Sequence, residues 1–228
     1  MDKVYTSHNL IHFAMNEMKR EVANYEMIEE TLIDNYGKEE AGIAISILSL
    51  IVYFDFLIFG DNKVGKKIVK KGYFFASYGS KHDEYVINMS HIKKLLRTRD
   101  FGYFLNICKE GLFKEIKQSI EDVIISTAAH EVRHRIQYKK KIKGFLKNTN
   151  TRDETINWLI KYRKIIADQE KRDFLKERRT RQYVKARTSN NEFDANLIEN
   201  YFLIAMLEGM NIEKMRKVLL LEPIRLFN

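Results

Sequence analysis

The chain has one cysteine, one proline and ten glycines among its 228 residues. A single thiol excludes an intrachain disulfide and fits a reducing compartment. So few helix breakers favour helices joined by short connections. Residues 1–20 lack a basic start followed by an apolar run. No signal peptide is therefore expected there, and the cytoplasm is the expected setting. Neither an internal repeat nor a glycine-rich phosphate loop occurs. Histidine is absent beyond position 134; the six are His8, His12, His82, His91, His130 and His134.

What is present describes an ordinary globular composition, 45% hydrophobic and 31% charged. The length suits a single domain over residues 1–228. The net charge of +9 is unevenly placed. Residues 1–40 hold four basic and nine acidic side chains. Their apolar spacing predicts one or two amphipathic helices ending near Gly37, a candidate helical appendage. Residues 41–59 are the most apolar stretch. Their length approaches that of a membrane span, but Asp55 lies inside, and a charge in hydrocarbon costs several kcal/mol. A buried element is expected and a membrane anchor is not; helix and strand both remain open for it. Short strands are expected at 73–78 and 84–89, joined through a turn at 79–83. Ser90 is a candidate cap for a helix over 91–97, with His91 structural or solvated.

Residues 133–187 carry nineteen Lys or Arg against six acids. Within them Trp158, Leu159, Tyr162, Ile165 and Ile166 recur at helical spacing over 157–175. The stripe is a solvated helix face or a surface for nucleic acid or an acidic partner. It could also border a cleft and favour acidic substrates. A last long helix is expected from Ser189-Asn190-Asn191 to about Glu208, with a short one over 211–221.

The central stretch is Thr127-Ala128-Ala129-His130-Glu131-Val132-Arg133-His134-Arg135. No Gly or Pro lies between Leu112 and Lys143, so an unbroken helix from about Phe113 to Lys140 is expected. His130 and His134, four apart, share one helical face and can reach one metal ion. Glu131 lies about 100° around the helix, placed to reach a metal-bound water without displacing an imidazole. Zinc suits such ligands because it accepts imidazole and carboxylate in a tetrahedron. The His-Glu-x-x-His pattern resembles the active-site helix of zincin metallopeptidases, in which the Glu is general base. Zincins usually have uncharged residues where Arg133 and Arg135 stand. The two charges imply an exposed flank on this helix, or a partner for each.

A third ligand is needed, and a fourth position stays open for water. With no later histidine, a metzincin-like ligand set does not fit, and a downstream carboxylate is the candidate. Glu192, with Ala195 and Asn196, resembles the Glu-x-x-Ala-Asp element of gluzincins, in which the Glu binds zinc and the Asp supports a ligand His. Here Asn196 stands in place of that Asp. Asp194 is the alternative support, or even the ligand. Equally, Asn190 or Asn191 could cap a helix whose first turn merely favours Glu192 and Asp194. His8 and His12 also share a face but lack a following Glu.

The resemblance implies a predominantly helical α+β fold of zincin type, with a small sheet beside the motif helix and an edge strand for an extended substrate. It implies a zinc peptidase in which His130, His134 and Glu192 hold Zn²⁺, and Glu131 transfers the proton. Tyr138, Tyr183, Arg187 and Tyr201 are candidate oxyanion donors. Two alternatives stand beside it: a basic nucleic-acid-associated protein using the 133–187 stripe, with or without protease activity, and an inactive zincin-like interaction module.

Overall fold

The apolar run at 41–59 is helical because its ends are. Glu39 and Glu40 occupy the first turn, where carboxylates complement the helix dipole. Gly60 stops it in the left-handed region, φ 75°, where glycine carries no Cβ penalty. In a computed structural model describing residues 4–61, 63–71, 75–107, 113–177 and 179–223, this run is α3, Lys38–Phe59. Among those residues it is the one helix long and apolar enough to cross a membrane, and most of that stretch is buried inside the protein. Helices α1 (Ser7–Glu21) and α2 (Tyr25–Tyr36) pack against it. From α1, Leu10, Ile11, Ala14 and Met18 enter the same apolar cluster as Ile47, Leu50, Ile51 and Phe54 of α3.

A three-stranded sheet follows, of β1 (Gly65–Val69), β2 (Ala76–Gly79) and β3 (Glu84–Asn88), in the order β1-β3-β2. The expected hairpin is β2 with β3, antiparallel, Tyr78 opposite Tyr85. Residues 73 and 74 of the first expected strand lie outside the described residues. β1, not anticipated, pairs parallel with β3. β2 is therefore an edge strand. The next helix, α4 (Met89–Thr98), starts before the expected Ser90 cap; Asn88 accepts from the Ser90 N–H instead. The segment at 101–112, expected as a connection or helix, contains β4 (Tyr103–Ile107). Residues 108–112 lie outside the described residues.

β4 pairs antiparallel with β5 (Phe113–Lys117), which corrects the expected start of the motif helix. Ser119 and Asp122 form a reciprocal capping box, so α5 begins at Ile120 and runs to Lys140. Ile124, Ile125, Ala128, Ala129, Val132 and Ile136 of α5 are all buried. Three helices complete the region around the site: α6 (Glu154–Lys176), α7 (Arg181–Arg187) and α8 (Asn190–Leu207). A short α9 (Ile212–Leu219) packs on α8. The helix-rich α+β class expected from the sequence holds. α5 and α8 lie against each other, with α3 on α5, and β2 borders α5.

Candidate metal centre

Two elements distant in sequence bring the site together. α5 presents His130 and His134 one turn apart, ring centroids 4.8 Å from each other. α8 presents Glu192 from its first turn, after Ser189 accepts the Glu192 N–H as cap. The Nε2 atoms of the two imidazoles are 3.1 Å apart. Glu192 places Oε2 at 3.5 Å from His130 Nε2 and Oε1 at 3.4 Å from His134 Nε2.

Hydrogen-bond partners on the far side of each ring fix which nitrogen carries hydrogen. His130 Nδ1 lies 2.7 Å from Glu199 Oε2, an acceptor. His134 Nδ1 lies 3.0 Å from Gln137 Oε1. The Gln137 amide cannot be turned round, because its Nε2 donates to the Asn191 carbonyl and to Asp194 Oδ2. Both Nδ1 atoms therefore donate, and both Nε2 atoms present lone pairs. With both rings neutral, three acceptors converge here, and either a proton on His130 or a metal ion would relieve their meeting. Ligand atoms about 2.0–2.1 Å from a tetrahedral zinc lie about 3.3 Å from one another. The two Nε2 atoms are at 3.1 Å. Glu192 meets each imidazole through a different oxygen, and one ligand atom from each residue lies within 4.8 Å of the others. Glu192 Oε2 is also buried without a hydrogen-bond partner, as is Glu131 Oε2. The three residues thus fit a divalent ion.

Proton affinities follow the same convergence. Burial opposes charge on His130, but Glu192 and Glu199 outweigh it and raise its pKa. Burial likewise opposes ionisation of Glu192, and His130 and His134 hold its carboxyl well below the usual range. The site takes a proton where it would take a metal. Burial pushes the Glu131 carboxyl up, against the opposing pull of His130 and His134 and a backbone hydrogen bond from Tyr78 of β2.

The other candidates separate clearly. Asp194 touches neither imidazole. It accepts from Arg133 Nε at 2.6 Å and Nη2 at 3.1 Å, and from the Phe145 N–H at 2.7 Å. It supports His134 only through Gln137. Asn196 donates to the Glu192 carbonyl within its own helix, and Glu199 takes the role expected of it. Positions 196 and 199 both share the helical face of Glu192, one and nearly two turns on, and it is the longer step along the helix that brings a carboxylate to His130 Nδ1. Tyr138 and Arg187 line a cleft of about 700 Å³ that contains His130, Glu131, His134 and Glu192. Arg187 Nη1 is 3.6 Å from Glu192 Oε2. Tyr183 borders a smaller lobe of about 320 Å³ on the His130 side. Tyr201, nine residues and roughly 13 Å along α8 from Glu192, has burial and the charges of Asp153 and Glu208 raising its pKa; it is a poor oxyanion donor.

The two arginines that depart from the zincin pattern each have partners. Arg133 is fully buried on Asp194 and the Leu219 carbonyl. Arg135 donates to Asp55 and Asp83 and stacks on the Phe59 ring at 4.4 Å. Gln137 and Glu199, which bond the far nitrogens of the two imidazoles, are the site residues that motif reading missed. Their signal was spacing, three residues after His134 and seven after Glu192. No family model, curated protein or solved structure matches this chain.

Proposed function

We propose that the protein is a zinc-dependent metallopeptidase of gluzincin-like design. The observation that carries the reading is the meeting of three acceptor atoms from α5 and α8, with the Glu131 carboxylate beside them in an open cleft. His130, His134 and Glu192 would hold the ion. Bound there, Zn²⁺ would polarise a scissile carbonyl and acidify a water towards a pKa of about 7. Glu131, with Oε2 unpartnered, accepts the proton of the attacking water and passes it to the leaving amine. Glu199 and Gln137 hold the imidazoles in the tautomer that leaves Nε2 free. Arg187 and Tyr138, which line the cleft, are placed to donate to a developing oxyanion. The edge strand β2 offers backbone groups to an extended peptide. The single thiol fits a cytoplasmic setting.

The basic segment at 133–187 is less of a surface than its charge count implies. Arg133 and Arg135 are buried in ion pairs, and Lys139, Lys147 and Arg179 are paired with Asp83, Asp168 and Glu177.

Anomalous scattering at the zinc edge from crystals grown with zinc tests the ligand set directly. A peak bonded to His130, His134 and Glu192 is expected; a peak elsewhere, or none, removes the hydrolase. Glu131→Gln should keep the metal and lose turnover on a protein substrate by about a thousandfold or more. Unchanged behaviour in that variant would leave an inactive zincin-like interaction module.

A further inference from the structure

We propose that the cleft takes an internal, extended stretch of an acidic polypeptide. This rests on the peptidase reading above and adds its substrate class. Two lobes meet at the metal group. The larger, about 700 Å³, runs past His134, Tyr138 and Lys141; the smaller, about 320 Å³, runs past Ser126, Thr127 and Tyr183. Both are bordered by Ala76, His130, Glu131 and Arg187. Space on either side of Glu131 lets a chain continue in both directions from the bond being cut. A bond far from either chain end can therefore reach the general base.

The charges divide by role. The carboxylates bordering the two lobes are Glu131, Glu192 and Glu199. The first is the base, the second faces both imidazoles, and the third is bonded to His130. The remaining charged side chains on the lining are the cations Lys141, which is exposed, and Arg187, which itself lies 3.6 Å from Glu192 Oε2. Lys81, Lys143 and Lys185 are exposed and adjoin the lining residues Ser80, Ile142 and Ala186 in sequence. Asp83, the acid closest in sequence to the lining strand β2, is taken up by Arg135, Lys139 and Tyr78. β2 itself contributes the uncharged Ala76, Ser77 and Tyr78. With those carboxylates engaged, a segment bearing Asp and Glu meets Lys141 and its basic neighbours in sequence, and one bearing Lys and Arg meets like charge. A phosphate backbone would satisfy the same cations. The edge strand decides for peptide, because its ladder groups repeat at the spacing of an extended chain.

The test uses the full chain carrying Glu131→Gln, loaded with zinc, so that bound peptide is not consumed. Zinc content is measured first, by competition with a chromophoric chelator; failure there removes the metallopeptidase reading itself. Fluorescence anisotropy then compares an end-blocked peptide rich in Asp and Glu with the same peptide carrying Asn and Gln in their place. The acidic peptide should bind about tenfold tighter at low salt, with the advantage shrinking as ionic strength rises. Lys141→Asn, chosen because Asn tolerates the positive φ of 51° at this position, should reduce that advantage about threefold. Equal affinity for the two peptides in a zinc-loaded protein, including no measurable binding of either, overturns the proposal. So does tighter binding of a single-stranded oligonucleotide than of the acidic peptide.

Discussion

Gln137 and Glu199 divide the support of the two imidazoles unequally. Glu199 gives His130 a charged partner at 2.7 Å, and Gln137 gives His134 a neutral amide at 3.0 Å. A carboxylate raises the basicity of the imidazole it supports, so removing its charge weakens the metal bond. Glu199→Gln should therefore lower zinc affinity by about 10- to 100-fold while leaving the fold intact, measured by chelator competition alongside circular dichroism. Equal affinity would mean that Glu199 does not tune the ligand. Arg133 is a separate matter. It is buried with Asp194, and truncating one partner strands the other's charge. Arg133→Ala should cost about 3–5 kcal/mol in urea unfolding, even though Arg133 is not a ligand.

At the scale of elements, the loop after α5 is pinned to α8 by one carboxylate. The Phe145 N–H donates to Asp194, and Gly144 passes so close that an added Cβ would lie 2.6 Å from Asp194 Cγ. Asp194 cannot retreat, since Arg133 and Gln137 hold it from the other side. Gly144→Ala should thus destabilise by about 1–3 kcal/mol. It should also weaken zinc binding, because the displaced Asp194 orients Gln137 and through it His134. A stability loss with unchanged zinc affinity would separate the loop from the site. The sheet is tied to α5 by a second charged network. Arg135 reaches Asp55 of α3 at 2.8 Å and Asp83 of the β2–β3 turn at 3.1 Å, and the Tyr85 hydroxyl donates to Asp55. This fixes β2 beside Glu131.

For the whole molecule, that network sets an acid-side profile. Burial pushes the Asp55 carboxyl up to about 6, with Arg135 and Tyr85 opposing. A raised folded pKa contributes stability present below the ordinary value of 3.8 and lost as pH rises through about 6. Burial also works against ionisation of Asp83, but hydrogen bonds from Arg135, Lys139 and Tyr78 hold its carboxyl well below the usual range. A depressed folded pKa contributes stability present above 3.8 and lost as pH falls further. These two groups make stability rise slightly from about pH 6 towards pH 4 and drop below that. Urea unfolding at several pH values should show both limbs, and Asp83→Asn should shrink the lower one, to which Glu192 also contributes. Metal acts on the same balance. Zinc at about 100 times its Kd should add about 2.7 kcal/mol, raising Tm by roughly 5–10 °C, reversed by a chelator. A Tm indifferent to both would argue against a site formed only in the folded chain.

The sequence by itself determined what depends on near neighbours. Four-residue spacing put His130 and His134 on one face, few breakers made the chain mostly helical, and Ser189 opened the helix that carries Glu192. The hairpin of β2 and β3 was legible because its turn is local. The early start assigned to α5 failed because absence of breakers was weighed above the Ser119 and Asp122 cap. Tertiary structure alone decided the rest. What paired with Arg133, Arg135 and Asp55, and which acid served His130, all depend on partners 30 to 86 positions away. Apolar periodicity reports how a segment meets the core, and a buried charge is stable only beside a partner that no local pattern encodes.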